Sequence, residues 1–199
     1  MEGVAELYKQ NEQQGLCRIE RFTISNQEAE AYNFGNLLNG CLGMNVSPGE
    51  YVKLYVNGQL YMSDTDMERS SNQSFVQHAY GDVMVAGLGI GLILNALREK
   101  IDSGDVRSIT VYEKYQDVID VVGPKLSDLP IKIVCADILE YRPPKDEHYD
   151  TIYFDIWPDI NTKNLKEIYT LHRRWIHRLN PGGWINSWME EHLQYMNRR

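Results

Sequence analysis

The stretch VMVAGLGIGLIL, residues 83–94, decides the fold of this chain. A run with strand preference leads into glycines at alternate positions, Gly87, Gly89 and Gly91, and an apolar helical stretch follows. Glycines at this spacing let the backbone turn sharply and approach a ligand closely, while the helix start offers free N–H groups. The dinucleotide pattern G-x-G-x-x-G would need its third glycine at Leu92, so this turn is a different one. A tight strand-to-helix turn without a ligand is the alternative.

Beyond this turn, short runs rich in strand-forming residues alternate with helical stretches, which is typical of βαβ units and a parallel sheet. The predicted strands are 83–86, 109–112, 131–135, 151–155 and 184–187, and the predicted helices are 91–100, 115–122 and 162–179. The segment Asn180-Pro181-Gly182-Gly183 predicts the end of the last helix, with Asn180 in a left-handed cap. We therefore expect an α/β fold with a doubly wound, Rossmann-like sheet, whose ligands bind at the carboxyl ends of the strands.

The first 80 residues read differently, as an α+β appendage to the domain formed by residues 81–199. Residues 50–62 alternate around Asn57-Gly58, which is the strongest short-range signal for a β-hairpin. Helices are predicted at 27–39 and from residue 70 or 71 to 80.

Acidic residues follow three predicted strands in succession. Glu113 ends the second strand, where a doubly wound sheet hydrogen-bonds the ribose of a bound nucleoside. Asp137 follows the third, suited to an adenine amino group, or else it caps a helix. Asp155 ends the fourth, with Trp157 close behind, and the alternative for this pair is a loop aspartate beside a core tryptophan.

Composition excludes several classes of protein. The chain has 199 residues, with 20 Lys plus Arg against 28 Asp plus Glu and a net charge of -8, so a phosphate-binding basic surface is absent and no nucleic-acid partner is expected. The longest apolar run is too short to span a membrane, and the acidic N-terminus is no secretory signal. The 3 cysteines lack CxxC spacing and the histidines are scattered, so we expect free thiols, no metal site and a cytoplasmic location.

Over roughly residues 80–187 these features together resemble the class I S-adenosylmethionine-dependent methyltransferases. The resemblance implies an S-adenosylmethionine cofactor, with the glycine turn at its methionine part, Glu113 at the ribose, Asp137 at the adenine and Asp155 facing the acceptor. The residues it implies for cofactor binding are Gly87, Leu88, Gly89, Gly91, Glu113, Lys114, Asp137, Ile138 and Asp155.

Two branches of that superfamily are similar to particular segments of this sequence. The segment YDTIYFDIWPD resembles the guanidino N-methyltransferases, which implies that Asp155, Glu68 and Trp157 are catalytic and that the acceptor is a small amine or guanidine. The hairpin and the sequence EKYQDVI resemble the spermidine synthases, but Ile90 replaces the acid that those aminopropyltransferases carry between their glycines. A degenerate member that binds cofactor or partner without catalysis is the remaining alternative.

The superfamily's sheet usually continues beyond the fifth strand, and few residues remain here after Ser187. The sheet is therefore expected to lack its last strands and to leave the fifth as an edge. Because bare edges are normally covered or paired, we expect either a homodimer or a C-terminal segment folded over this edge.

Overall fold

The computed structural model describes residues 1–39 and 45–198 as two sheets with flanking helices. Cys41 lies outside the described residues. The strands are β1 (Glu12–Gln14), β2 (Cys17–Ile24), β3 (Gly49–Val56), β4 (Gln59–Ser63), β5 (Gly81–Ala86), β6 (Val106–Glu113), β7 (Ile131–Cys135), β8 (Tyr149–Phe154) and β9 (Leu179–Ser187). The helices are α1 (Asn26–Leu38), α2 (Asp66–Ser71), α3 (Gln73–His78), α4 (Leu92–Asn95), α5 (Arg98–Asp102), α6 (Gln116–Val122), α7 (Asn164–Trp175) and α8 (Glu190–Asn197).

The second sheet confirms the predicted α/β architecture. Its order is β7-β6-β5-β8-β9 and all its neighbouring strands pair in parallel, so the winding reverses at β5, the strand that runs into the glycine turn. Within the described residues this sheet has five strands, with β9 at one end as expected. A doubly wound sheet opens a crevice at the carboxyl ends of the strands where the winding reverses, here between β5 and its neighbours.

The first sheet is antiparallel, in the order β1-β2-β3-β4, and contains the predicted hairpin. Asn57 and Gly58 both have positive φ, as the two-residue turn between β3 and β4 requires. The boundary at residues 80 and 81 stays a prediction.

One apolar core joins the two sheets. Alternate residues of β5 point to opposite faces, so Val83 and Val85 pack with Val52 and Leu54 of β3. Met84 faces the other way, into a cluster around Trp175 of α7. Because both faces of β5 are buried, its sequence reads as a continuous apolar run.

Several predicted boundaries are wrong. The helix predicted from residue 70 or 71 begins earlier and consists of α2 and α3, and the one predicted at 91–100 divides into α4 and α5. The helix predicted to residue 179 ends at Trp175 and is followed by a 3₁₀ turn, Ile176–Arg178. Asn180 is in β9 without a left-handed backbone, because its side-chain amide donates a hydrogen bond to Asp150 Oδ1 at 2.7 Å and holds it beside β8.

In residues 1–39 and 45–198, the helices are all too short or too polar to cross a membrane. The same ranges contain no group of three or more His, Cys, Asp or Glu side chains that could hold a metal ion.

Asp64 ties the N-terminal segment to the first sheet. Its fully buried carboxylate accepts hydrogen bonds from Val4 N at 2.9 Å and Val52 N at 2.8 Å. We expect Asp64→Ala to lower the free energy of unfolding in urea by about 2–5 kcal/mol, because it leaves two buried N–H groups unpaired.

Asp120→Ala is the matched control, since Asp120 is exposed and, within the described part of the chain, its carboxylate accepts hydrogen bonds only from the side chains of Gln14 and Gln116. Equal urea midpoints for the two variants would show that Asp64 does not anchor the segment.

Candidate functional site

A cavity opens at the carboxyl ends of β5, β6, β7 and β8, on the side covered by the β3–β4 hairpin. Its lining includes all but one of the predicted site residues, namely Glu68, Gly87, Leu88, Gly89, Glu113, Lys114, Asp137, Ile138, Asp155 and Trp157. Gly91 is absent from this lining. The structure thus gathers residues from both sheets around one space.

The glycine turn is closely packed on both sides. Gly87 has φ +100°, and a Cβ there would collide with the carbonyl oxygen of Asp155. Gly89 has φ +52° and lies against Met62 Sδ of β4. Gly91, at φ +77°, instead precedes α4, with Leu126 2.9 Å from where its Cβ would be. All three positions therefore favour glycine for their backbone conformation, and Gly87 also needs it for space, because the atom in the way is a backbone oxygen.

Glu113 fastens the turn to the end of β6. Its carboxylate accepts a hydrogen bond from Leu88 N at 2.9 Å and another from Tyr115 N at 2.8 Å. Burial raises the pKa of Glu113, and these backbone hydrogen bonds oppose the rise. A carboxylate has about four acceptor positions, so Glu113 retains capacity for further donors in the cavity.

Lys114 and Asp137 form an ion pair at the cavity, with Lys114 Nζ 2.9 Å from Asp137 Oδ2. Burial favours a higher pKa for Asp137, but Lys114 and the N–H of Leu139, which donates to Oδ1 at 3.0 Å, leave that pKa lowered overall. No helix starts at Asp137: the Leu139 contact closes a turn between β7 and β8.

Glu68 and Asp155 bring two carboxyl groups to the cavity from different parts of the chain. Glu68 is buried on α2, and Asp155 follows β8 directly. Burial and then the charge of Asp155 raise the pKa of Glu68 to about 8, and burial raises the pKa of Asp155 to about 7. Neither carboxyl group has a hydrogen bond to another described side chain or backbone group. Both therefore remain available to a ligand.

Trp157 belongs to the wall of the cavity and to the core at once. Its Nε1 donates to Glu167 Oε2 of α7 at 2.8 Å, and its ring packs in the cluster around Trp175. The tryptophan is 8% exposed and lines the cavity. The hydrogen bond fixes the ring, so it offers a rigid apolar surface.

Sequence reasoning missed the hairpin's part of the site. Tyr61 and Met62 of β4 line the cavity together with Tyr115, and the hydroxyls of Tyr61 and Tyr115 lie 3.0 Å apart. The two rings meet edge to face at 6.0 Å between centroids. The sequence EKYQDVI contains Tyr115 but does not indicate a role for it. The hairpin pattern likewise does not indicate which face of its strands contacts the second sheet.

The similarity of this chain to known proteins is distant. No protein-family model matches the chain, and no curated protein matches it. Three of the solved structures that share its arrangement of elements are described as S-adenosylmethionine-dependent methyltransferases, from Leishmania major, Clostridium acetobutylicum and Geobacter sulfurreducens. Their identities are 19%, 14% and 15%, with TM-scores of 0.47, 0.42 and 0.45.

The matched regions cover 61%, 78% and 60% of this chain and 49%, 54% and 47% of the three structures. This chain thus spans about half the length of the structures it matches. The Geobacter protein was solved in complex with S-adenosyl-L-homocysteine.

The raised pKa values of Glu68 and Asp155 predict a pH-dependent stability. Both carboxyls ionise near pH 4 in the unfolded chain but keep their protons to higher pH in the folded one, so their contribution to stability falls as pH rises through about 5 to 8. Glu68→Gln removes one of these groups. Relative to the parent protein, it should gain about 1–3 kcal/mol in free energy of unfolding between about pH 5 and pH 9.

Urea unfolding at a series of pH values checks this. Glu99→Gln, at an exposed position on α5, is the control and should track the parent protein at every pH. A difference between Glu68→Gln and the parent that stays constant with pH would mean that Glu68 ionises normally in the folded state.

Proposed function

We propose that this protein is an S-adenosylmethionine-dependent methyltransferase that acts on a small acceptor containing an amine or guanidine nitrogen. The observation that carries the proposal is the joint placement of Glu113, fastened to the glycine turn, and the unpaired carboxyls of Glu68 and Asp155 in one cavity. Such a cavity suits a molecule that carries both hydroxyl groups and positive charge.

The residues present fit the cofactor. Glu113 has acceptor capacity left for the two ribose hydroxyls, and Asp137 keeps acceptor positions for an adenine amino group. Leu88 and Ile138 are almost completely buried and supply an apolar wall for a nucleoside. Gly87 and Gly89 are partly exposed and line the cavity, which places the turn beside the space for the methionine part. When bound, S-adenosylmethionine supplies an electrophilic methyl group on a sulfonium centre.

Asp155 and Glu68 are the groups we assign to the acceptor. An amine reaches the site mostly as its ammonium ion and must lose a proton to expose its lone pair. A carboxylate with a pKa near 7 can hold the N–H groups and accept that proton at neutral pH. The second carboxyl, Glu68, has a pKa of about 8, and a cationic acceptor bound beside it would lower that pKa, so that Glu68 ionises and pairs with the cation.

Trp157 gives the acceptor a rigid surface on which a guanidinium or other cationic group can stack. Such a contact is worth about 0.5–2 kcal/mol, depending on how far it is shielded from water. Alignment of the acceptor and exclusion of water are the main contributions a protein makes to a displacement of this kind.

Cofactor binding is tested by calorimetry with S-adenosylhomocysteine. The parent protein should bind it, and Glu113→Ala should weaken binding at least about thirtyfold, because two or more hydrogen bonds to a charged group are lost. Asp155→Asn, which keeps the shape of the site, should bind within about threefold of the parent. Lost binding in Asp155→Asn would move Asp155 to the cofactor side, and no binding by the folded parent would refute the proposal.

Acceptor recognition is tested separately, by thermal unfolding in the presence of S-adenosylhomocysteine. Methylguanidine and a small primary amine should raise the melting temperature of the parent protein, whereas a neutral amide of the same size should not. Glu68→Gln and Asp155→Asn should each abolish the response, since each removes a carboxylate that pairs with the cation. An equal response to the amide would contradict a cationic acceptor.

A further inference from the structure

The glycine turn has a contact that its own sheet does not supply. The carbonyl oxygen of Ile90, between Gly89 and Gly91, accepts a hydrogen bond from the hydroxyl of Tyr8 at 2.8 Å. Tyr8 and Ile90 are both fully buried, and they lie 82 positions apart in the chain. We propose that Tyr8 is a positioning residue, whose hydroxyl holds the glycine turn in the conformation that binds the ligand.

The second sheet holds the other end of the turn, through hydrogen bonds to β6. Gly87 N donates to the carbonyl of Tyr112 at 2.8 Å, and Leu88 N donates to Glu113. Gly91 N donates back to the carbonyl of Leu88 at 3.0 Å and closes the turn on itself. Among the described residues, the hydroxyl of Tyr8 is the only hydrogen-bond donor to Ile90 O. Without it, a buried carbonyl would lack a partner, and the turn would rearrange to reach one.

Tyr8 is held in place independently of its hydroxyl. The segment before it is tied down by Val4 N on Asp64, and Arg21 Nη1 donates to the carbonyl of Ala5 at 2.8 Å and also to that of Tyr8. Lys125 Nζ lies 4.9 Å from the centroid of the Tyr8 ring. The phenol is therefore a fixed donor, and Tyr8→Phe removes the hydrogen bond while keeping the ring and its packing.

A second contact from the N-terminal part reaches the same turn. Met62 Sδ packs on Gly89, one position before Ile90. The turn is thus held between the second sheet on one side and Tyr8 and Met62 on the other. Ligand binding at the turn consequently depends on residues from the first 80 positions as well as on the Rossmann-like part.

Tyr8→Phe tests this role, with Tyr153→Phe as the matched control. Tyr153 is also buried, and its hydroxyl donates to Asn72 Oδ1 at 2.9 Å, on a residue outside the turn. Both variants lose one buried phenol hydrogen bond, so both should lower the melting temperature similarly. Hydrogen exchange of peptides that cover residues 86–95 should accelerate about tenfold or more in Tyr8→Phe and stay at the parent rate in Tyr153→Phe.

Calorimetry with S-adenosylhomocysteine, well below both melting temperatures, gives the second readout and rests on the proposed function. We expect about tenfold weaker binding in Tyr8→Phe and less than twofold change in Tyr153→Phe. Equal exchange of residues 86–95 in the two variants would overturn the positioning role. Should the parent protein not bind S-adenosylhomocysteine, the proposed cofactor is wrong, and the exchange rates alone still decide the role of Tyr8.

Discussion

The buried carboxylate of Glu113 is the constraint on which the site depends. A charge away from water is tolerated only where hydrogen bonds replace its hydration, and here Leu88 N and Tyr115 N do so. One of these donors belongs to the glycine turn and the other to the segment that enters α6. The same carboxylate thus fixes the turn after β5, ends β6 and orients Tyr115 towards the cavity. Without this carboxylate, the glycine turn, the end of β6 and the segment that enters α6 would lose the hydrogen bonds that connect them.

The N-terminal sheet is part of this arrangement. It shares an apolar core with β5, and its hairpin places Tyr61 and Met62 against the cavity. Glu68 reaches the cavity from α2, where burial and Asp155 keep its pKa high. An ionisable pair at these positions costs stability at high pH, and natural proteins tolerate such costs chiefly at functional sites. That cost, together with the place of both carboxyls in the cavity, is our reason for proposing that Glu68 and Asp155 bind a ligand.

Local patterns in the sequence predicted the parallel sheet, the hairpin and the acids at the strand ends, because strand periodicity and turn chemistry are encoded by neighbouring residues. Glu68 was anticipated only through a family resemblance, since nothing local marks it. Tyr8, Tyr61 and Met62 could not be found this way, because their contacts with the turn join residues far apart in the chain. The prediction of a helix end with a left-handed cap at Asn180 was wrong for a similar reason, because the hydrogen bond of Asn180 to Asp150 keeps this residue in β9.

The central claim is that the carboxylate of Glu113 and the glycine turn together hold a nucleoside in this cavity. A crystal structure of the protein grown with S-adenosylhomocysteine tests it most directly. The account predicts the ribose hydroxyls within hydrogen-bond distance of Glu113, the adenine beside Asp137, and the vacant methyl position facing Asp155. An empty cavity in crystals grown at saturating ligand, or a ribose turned away from Glu113, would contradict it.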